Sequence, residues 1–198
     1  MNSALLPQTR FDLRLLLRNG EQLLLTMVIP LVLLVVLALV PMVTMDVAAG
    51  ATRIDVALAG VLAVAVLSSA FTSLAIGVGF DRRSGSLLLL ATTPLSRTSI
   101  LVSRSLATVV VVALQSVLLF VAAAILGWRP SSASWIVLPL IVLGSLSLGA
   151  LGFALGGAVR AEATLAIANG AFLVLLLAGG TAFPVSTLPA TVAAVAQW

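Results

Sequence analysis

The chain has 198 residues, 62% of them hydrophobic and 8% charged; ten arginines, no lysine and six acidic residues give a net charge of +4. A soluble domain carries about 25% charged residues, so this composition excludes a water-soluble globule, a disordered chain and a disulfide scaffold. The absence of cysteine and histidine removes thiolate and imidazole metal sites, a cysteine nucleophile and the commonest general base. The arginines are scattered between apolar runs rather than gathered on one face, which argues against nucleic acid.

The apolar stretches are continuous rather than alternating. They predict an all-α, polytopic helical bundle in the membrane rather than a barrel. Residues 22–45, 56–80, 105–128, 130–159 and 163–198 carry no charge. Each window exceeds the roughly 20 apolar residues that one span needs. Five spans are expected, near 22–44, 56–79, 100–127, 135–159 and 163–183. A long polar N-terminus speaks against a cleaved signal peptide. With the N-terminus inside, Arg10, Arg14, Arg18, Arg82, Arg83, Arg97, Arg104 and Arg160 fall on one side, and only Arg53 and Arg129 on the other. The positive-inside rule then makes this a multi-pass cell-membrane protein with a cytoplasmic N-terminus and residues after Phe183 outside.

Residues 8–19 come first. Arg10, Arg14 and Arg18 recur every four positions and form one helical stripe beside Phe11, Leu15 and Leu16. This predicts an amphipathic elbow helix in the inner membrane surface, its arginines toward lipid headgroups, ending at Asn19-Gly20. In the first span, Pro30 lies deep enough to kink the helix. The second span carries Ser69, Ser73 and Gly77 at a four-residue repeat. The fourth carries Ser145, Gly149, Gly152 and Gly156 along one face, with packing inside the chain as the expected use and a dimer contact as the other. Between spans two and three, residues 84–91 are too short to cross and are bounded by Gly85 and Pro94. A short helix across the cytoplasmic face is expected there. Gln115 and Asn169 are the strongest polar residues at membrane depth, expected to bond between helices or line a pore. Two prolines, Pro184 and Pro189, end the fifth span, and Thr191–Trp198 could lie at the interface.

No Walker loop, nucleophile elbow or acidic group deep in a span is present to drive transport or catalysis. An intramembrane enzyme therefore finds no support, and energy would have to come from another subunit. An interior without buried charge favours a hydrophobic or amphiphilic substrate, such as a drug, an antibiotic or a lipid-like molecule.

Several segments, in order, resemble the membrane permease subunit of type-2 ATP-binding cassette (ABC) exporters. Thr9–Asn19 is similar to that family's elbow, with Gly20 where the family usually has proline. Val28, Ile29, Pro30 and Leu31 resemble the start of its first span. Asp81, Arg82, Arg83, Ser84, Gly85, Ser86 and Leu87, followed by Leu90 through Pro94 and by Ser96 and Arg97, resemble its coupling helix. Gly180–Pro189 resembles the outer end of the fifth span. The resemblance implies a dimeric permease, a second copy being the same or a related chain, working with ABC-type ATPase subunits that bind ATP. No cofactor, metal or catalytic residue is then expected in this chain itself. The ATPase-coupling residues it implies are Asp81, Arg82, Arg83, Gly85, Ser86, Leu87, Leu90 and Pro94, with Arg14 and Arg18 of the elbow close by. The family has six spans, so residues 1–198 are expected to form a single permease domain truncated at its C-terminus. The competing expectation is a membrane assembly or anchor protein of the same fold that transports nothing.

Overall fold

A computed structural model describes residues 5–20, 24–40, 51–86 and 96–178. The described residues are helical almost throughout and contain no strand. Helix α1 runs Leu5–Arg18. Helix α2 opens with a π turn, Leu24–Val28, and continues as Ile29–Leu39. Helix α3, Arg53–Arg83, is interrupted by a π turn at Leu67–Ser73. Helix α4 is Arg97–Ile125, α5 is Val137–Ala158 after a 3-10 turn at Ser132–Ile136, and α6 is Ala161–Ala178.

Three helices are each long and apolar enough to cross a membrane: Arg53–Arg83, Thr98–Ile125 and Ser134–Ala158. The apolar helices Thr26–Leu39 and Ala161–Leu176 are shorter within the described residues. All five coincide with the five expected spans. The chain is a polytopic helical membrane bundle. Its outward faces carry exposed Val117, Ile125, Leu143, Leu151 and Val174, the surface that acyl chains solvate and water does not.

Each turn has a local cause. Asp55 accepts from the Thr52 N–H at 2.7 Å, a capping box that starts α3. Ser96 Oγ accepts from the Ser99 N–H at 3.1 Å and starts α4. Gly127, at φ +97°, ends α4. Its N–H donates to the Ala124 carbonyl at 3.1 Å and the Trp128 N–H to that of Ala123 at 2.8 Å, the two bonds of a Schellman cap. Trp128 then stacks on Phe120 at 5.6 Å and donates Nε1–H to Asp55 at 2.9 Å, joining the α4 turn to the start of α3.

The core centres on α3. Leu34 and Leu37 of α2, Ala57, Leu58, Val61 and Leu62 of α3, and Leu119 and Ala123 of α4 form its larger cluster. On α5 the buried residues are Ser145, Gly149, Gly152 and Gly156. A Cβ on Gly152 would lie 2.9 Å from the Phe71 carbonyl oxygen, and one on Gly156 2.5 Å from that of Ala75. The small-residue stripe is therefore the contact of α5 with α3, the intrachain use expected of it.

Candidate functional site

The charges of the described residues collect at the two ends of the bundle. Arg53, Asp55 and Arg129 mark one end; α1, the end of α3, the start of α4 and the α5–α6 junction mark the other. At the first end Arg53 Nε donates to the Leu37 carbonyl at 2.7 Å and its Nη2 to that of Val40, capping the C-terminus of α2.

The arginine-rich end is built on three consecutive residues of α3. Asp81 pairs with Arg104 of α4, both side chains largely buried. Arg82 Nη1 donates to the carbonyls of Gly156 at 3.1 Å and Val159 at 3.2 Å, and to that of Gly157. These are the orphan carbonyls at the C-terminus of α5, where the helix dipole also favours a cation. Arg83 pairs with Glu162 in the first turn of α6, both exposed. Successive side chains thus tie α3 to α4, α5 and α6 in turn. Ser84 and Gly85 then turn the chain, Gly85 at φ +76° and Ser86 just beyond it. Leu87, Leu90 and Pro94, which complete the expected coupling segment, lie outside the described residues, as does the tail from Gly179.

Helix α1 packs along α4 with Arg10, Arg14 and Arg18 all exposed, as are Phe11 and Leu15. Its one buried residue is Asp12. Asp12 accepts from Ser103 Oγ at 2.8 Å and from Gln8 Nε2 at 3.1 Å. Burial pushes its carboxyl above the usual carboxylate range; Ser103, Arg104 and Gln8 pull it back and Asp81 adds to the rise. Asp12 lies on α1, outside the spans, so its burial falls beyond what a reading of the spans addresses. A carboxylate inside an arginine stripe reads as a surface residue, and only the docking of α1 on α4 buries it.

Deeper in the bundle Gln115 is fully buried. Its Oε1 accepts from Ser69 Oγ at 3.0 Å, and its Nε2 donates to the Thr26 carbonyl. Pro30 has no N–H to offer that carbonyl four residues back, and the amide of Gln115 is the donor that reaches it. Gln115 thus joins α2, α3 and α4 at the two π turns. Asn169 differs. It is exposed on α6, and its side chain makes no hydrogen bond to another described residue.

These features define a polytopic helical membrane protein whose arginine-rich end is cross-linked by ion pairs and hydrogen bonds between helices. A family model described as ABC-2 type transporter matches residues 8–198, and the chain belongs to that family. It is the membrane component of a transporter, not itself catalytic. No curated protein and no solved structure matches the chain.

Proposed function

We propose that this chain is the permease subunit of an ATP-driven exporter that moves a hydrophobic or amphiphilic substrate out across the cytoplasmic membrane. A separate ABC-type ATPase hydrolyses the ATP, and a second permease copy completes the pathway. The arginine-rich end faces the cytoplasm, in keeping with the positive-inside rule. The observation that carries the reading is the run Asp81, Arg82 and Arg83. It ties the last turn of α3 to α4, α5 and α6 at once. Displacement of that turn by a cytoplasmic partner is shared among α3, α4, α5 and α6 rather than absorbed by one loop.

The test is purification of the tagged chain from its native membrane in mild detergent, with mass spectrometry of what accompanies it. A stoichiometric ABC ATPase is expected. Well-inserted chain without any ATPase would overturn the reading in favour of a membrane anchor. Charge reversal at Arg82 and Arg83 is not a clean test of coupling, because it would also set a carboxylate against the α5 C-terminus and against Glu162. Gly85→Ala is cleaner. It leaves all three ties in place but strains a backbone at φ +76°, redirecting the segment beyond. Loss of substrate-stimulated ATP hydrolysis with assembly retained is the expected result.

A further inference from the structure

A cavity of about 340 Å³ lies between α1, the π turn of α2, α3 and α4. This is within the size range of small-molecule sites, about 300–1,000 Å³. Asp12, Asp81 and Arg104 line it toward the arginine-rich end, and Leu74 and Val111 supply apolar wall. Thr26 and Ser69, one from each π turn, also line it, beside the Gln115 bonds. A π turn carries an extra residue and commonly marks a functional position in a helix. Here both open onto the same space.

The charges of the lining do not balance. Arg104 is taken by Asp81. Asp12 is 6% exposed, and its hydrogen-bond donors Gln8 and Ser103 are both neutral. The charged groups that face it from neighbouring elements are Asp81 of α3 and Arg104 of α4. The described part of α2 carries none, and Arg10, Arg14 and Arg18 of its own helix are exposed. Among the described residues Asp12 thus has no cation of its own, and a buried carboxylate so placed is costly, a cost that a bound cation compensates.

We propose that this cavity binds a cationic amphiphile, its apolar body against Leu74 and Val111 and its positive centre beside Asp12. A phosphate-bearing headgroup fits poorly, since it would set an anion beside two carboxylates. The site deepens the exporter reading, and on that reading alone it is a place where cargo loads from the inner leaflet. Binding itself needs no ATPase, so the two ideas fail separately.

The test is equilibrium dialysis of the purified chain in dodecyl maltoside with tetraphenylphosphonium, against tetraphenylborate as its anionic near-isostere. Both probes keep their charge at every pH, so any pH dependence belongs to the protein. Saturable binding of the cation and none of the anion is expected. Asp12→Asn should weaken the cation by at least about tenfold, the scale of one charge-assisted contact. Cation binding to the wild type should also tighten as pH rises through the titration of Asp12, and that dependence should vanish in Asp12→Asn.

A second variant guards against misfolding. A Cβ on Gly77, another lining residue, meets nothing within 4 Å, so Gly77→Leu fills the cavity while keeping every charge. It should weaken binding as strongly, whereas Asp55→Asn at the opposite end should not. Equal affinity for the two ions, or unchanged cation binding in a monodisperse Asp12→Asn or Gly77→Leu protein, would overturn the site. Absence of an ATPase partner would leave it standing.

Discussion

Replacing Gly156 by alanine strikes the α3–α5 contact at its tightest point. The new methyl would lie 2.5 Å from the Ala75 carbonyl oxygen and 2.9 Å from the Val78 Cβ. The first neighbour is backbone and cannot swing away. Restoring an ordinary contact requires the two helices to part by roughly 0.9 Å or more, an overpacking that costs about 1–3 kcal/mol. Alanine's better helix propensity offsets at most about 1 kcal/mol of this. The next residue provides the control: a Cβ on Gly157 meets nothing within 4 Å, so Gly157→Ala should be neutral or slightly stabilising. The two variants change composition identically and differ only in what the methyl meets. A difference of about 2 kcal/mol between them corresponds to about 4–8 °C in melting temperature for a chain of this length. Thermal unfolding in detergent, followed by size-exclusion chromatography with fluorescence detection, reads it directly. Equal melting of the two proteins would refute the assignment of this stripe to intrachain packing, and a further fall in Gly156→Leu is required by the same reasoning.

The Asp12 carboxyl holds its proton to higher pH in the folded chain than in the unfolded one, so stability should fall as pH rises from the usual carboxylate range through its raised value. Asp12→Asn removes that leg, and its melting temperature should gain on the wild type as pH increases through this window; a constant difference would contradict the burial of Asp12. Gln115→Leu should cost about 0.6–2 kcal/mol by stranding the Ser69 hydroxyl and the Thr26 carbonyl. Combined with Ser69→Ala in a double-mutant cycle it should show a coupling of about 0.5 kcal/mol or more, whereas strict additivity would deny the bond. Arg82→Ala should lower stability by about 1 kcal/mol with Arg82→Lys intermediate, because a lysine keeps the charge at the α5 C-terminus but loses the planar guanidinium whose Nη1 meets the carbonyls there. The chain has no cysteine, so single cysteines report topology without background. In intact cells a membrane-impermeant maleimide should label Ser131→Cys and spare Ser84→Cys, and the opposite pattern would invert the proposed orientation.

Hydropathy and charge spacing carried the fold because a bilayer makes both nearly obligatory. An uncharged window of twenty or more residues has few uses besides a span, and each of the five expected windows holds an apolar helix. The stripe from Ser145 to Gly156 was legible for the same kind of reason: small residues at four-residue spacing allow close helix approach, whatever the partner. Which helix it meets was not legible, because α3 and α5 are joined through α4 and no local pattern pairs them. Asn169 shows the limit of reading polarity alone. At membrane depth it looks like Gln115, yet one reaches two neighbouring helices and the other is exposed on the chain's surface, a difference set by how each helix is rotated in the bundle.

The charged end shows the same division more sharply. Asp81, Arg82 and Arg83 stood out as a cluster, but adjacency in sequence suggested a shared outward role. On a helix three successive residues point about 100° apart, so a cluster at the end of a central helix reaches three neighbours rather than one partner. That geometry turns a patch of charge into a brace. Asp12 is the complementary case. Its neighbours Arg10 and Arg14 mark the helix as a surface element, and nothing local marks the carboxylate as the residue that turns inward. Ser103, ninety-one positions away, is what receives it. A carboxylate that local sequence assigns to water, and that the fold instead buries beside a cavity with no cation of its own among the described residues, is a departure from the cheapest way to dock α1. An apolar residue there would pack against α4 with no desolvation penalty. The bond from Ser103 gives that charge a use in docking α1, and the proposed cation site would give it a second.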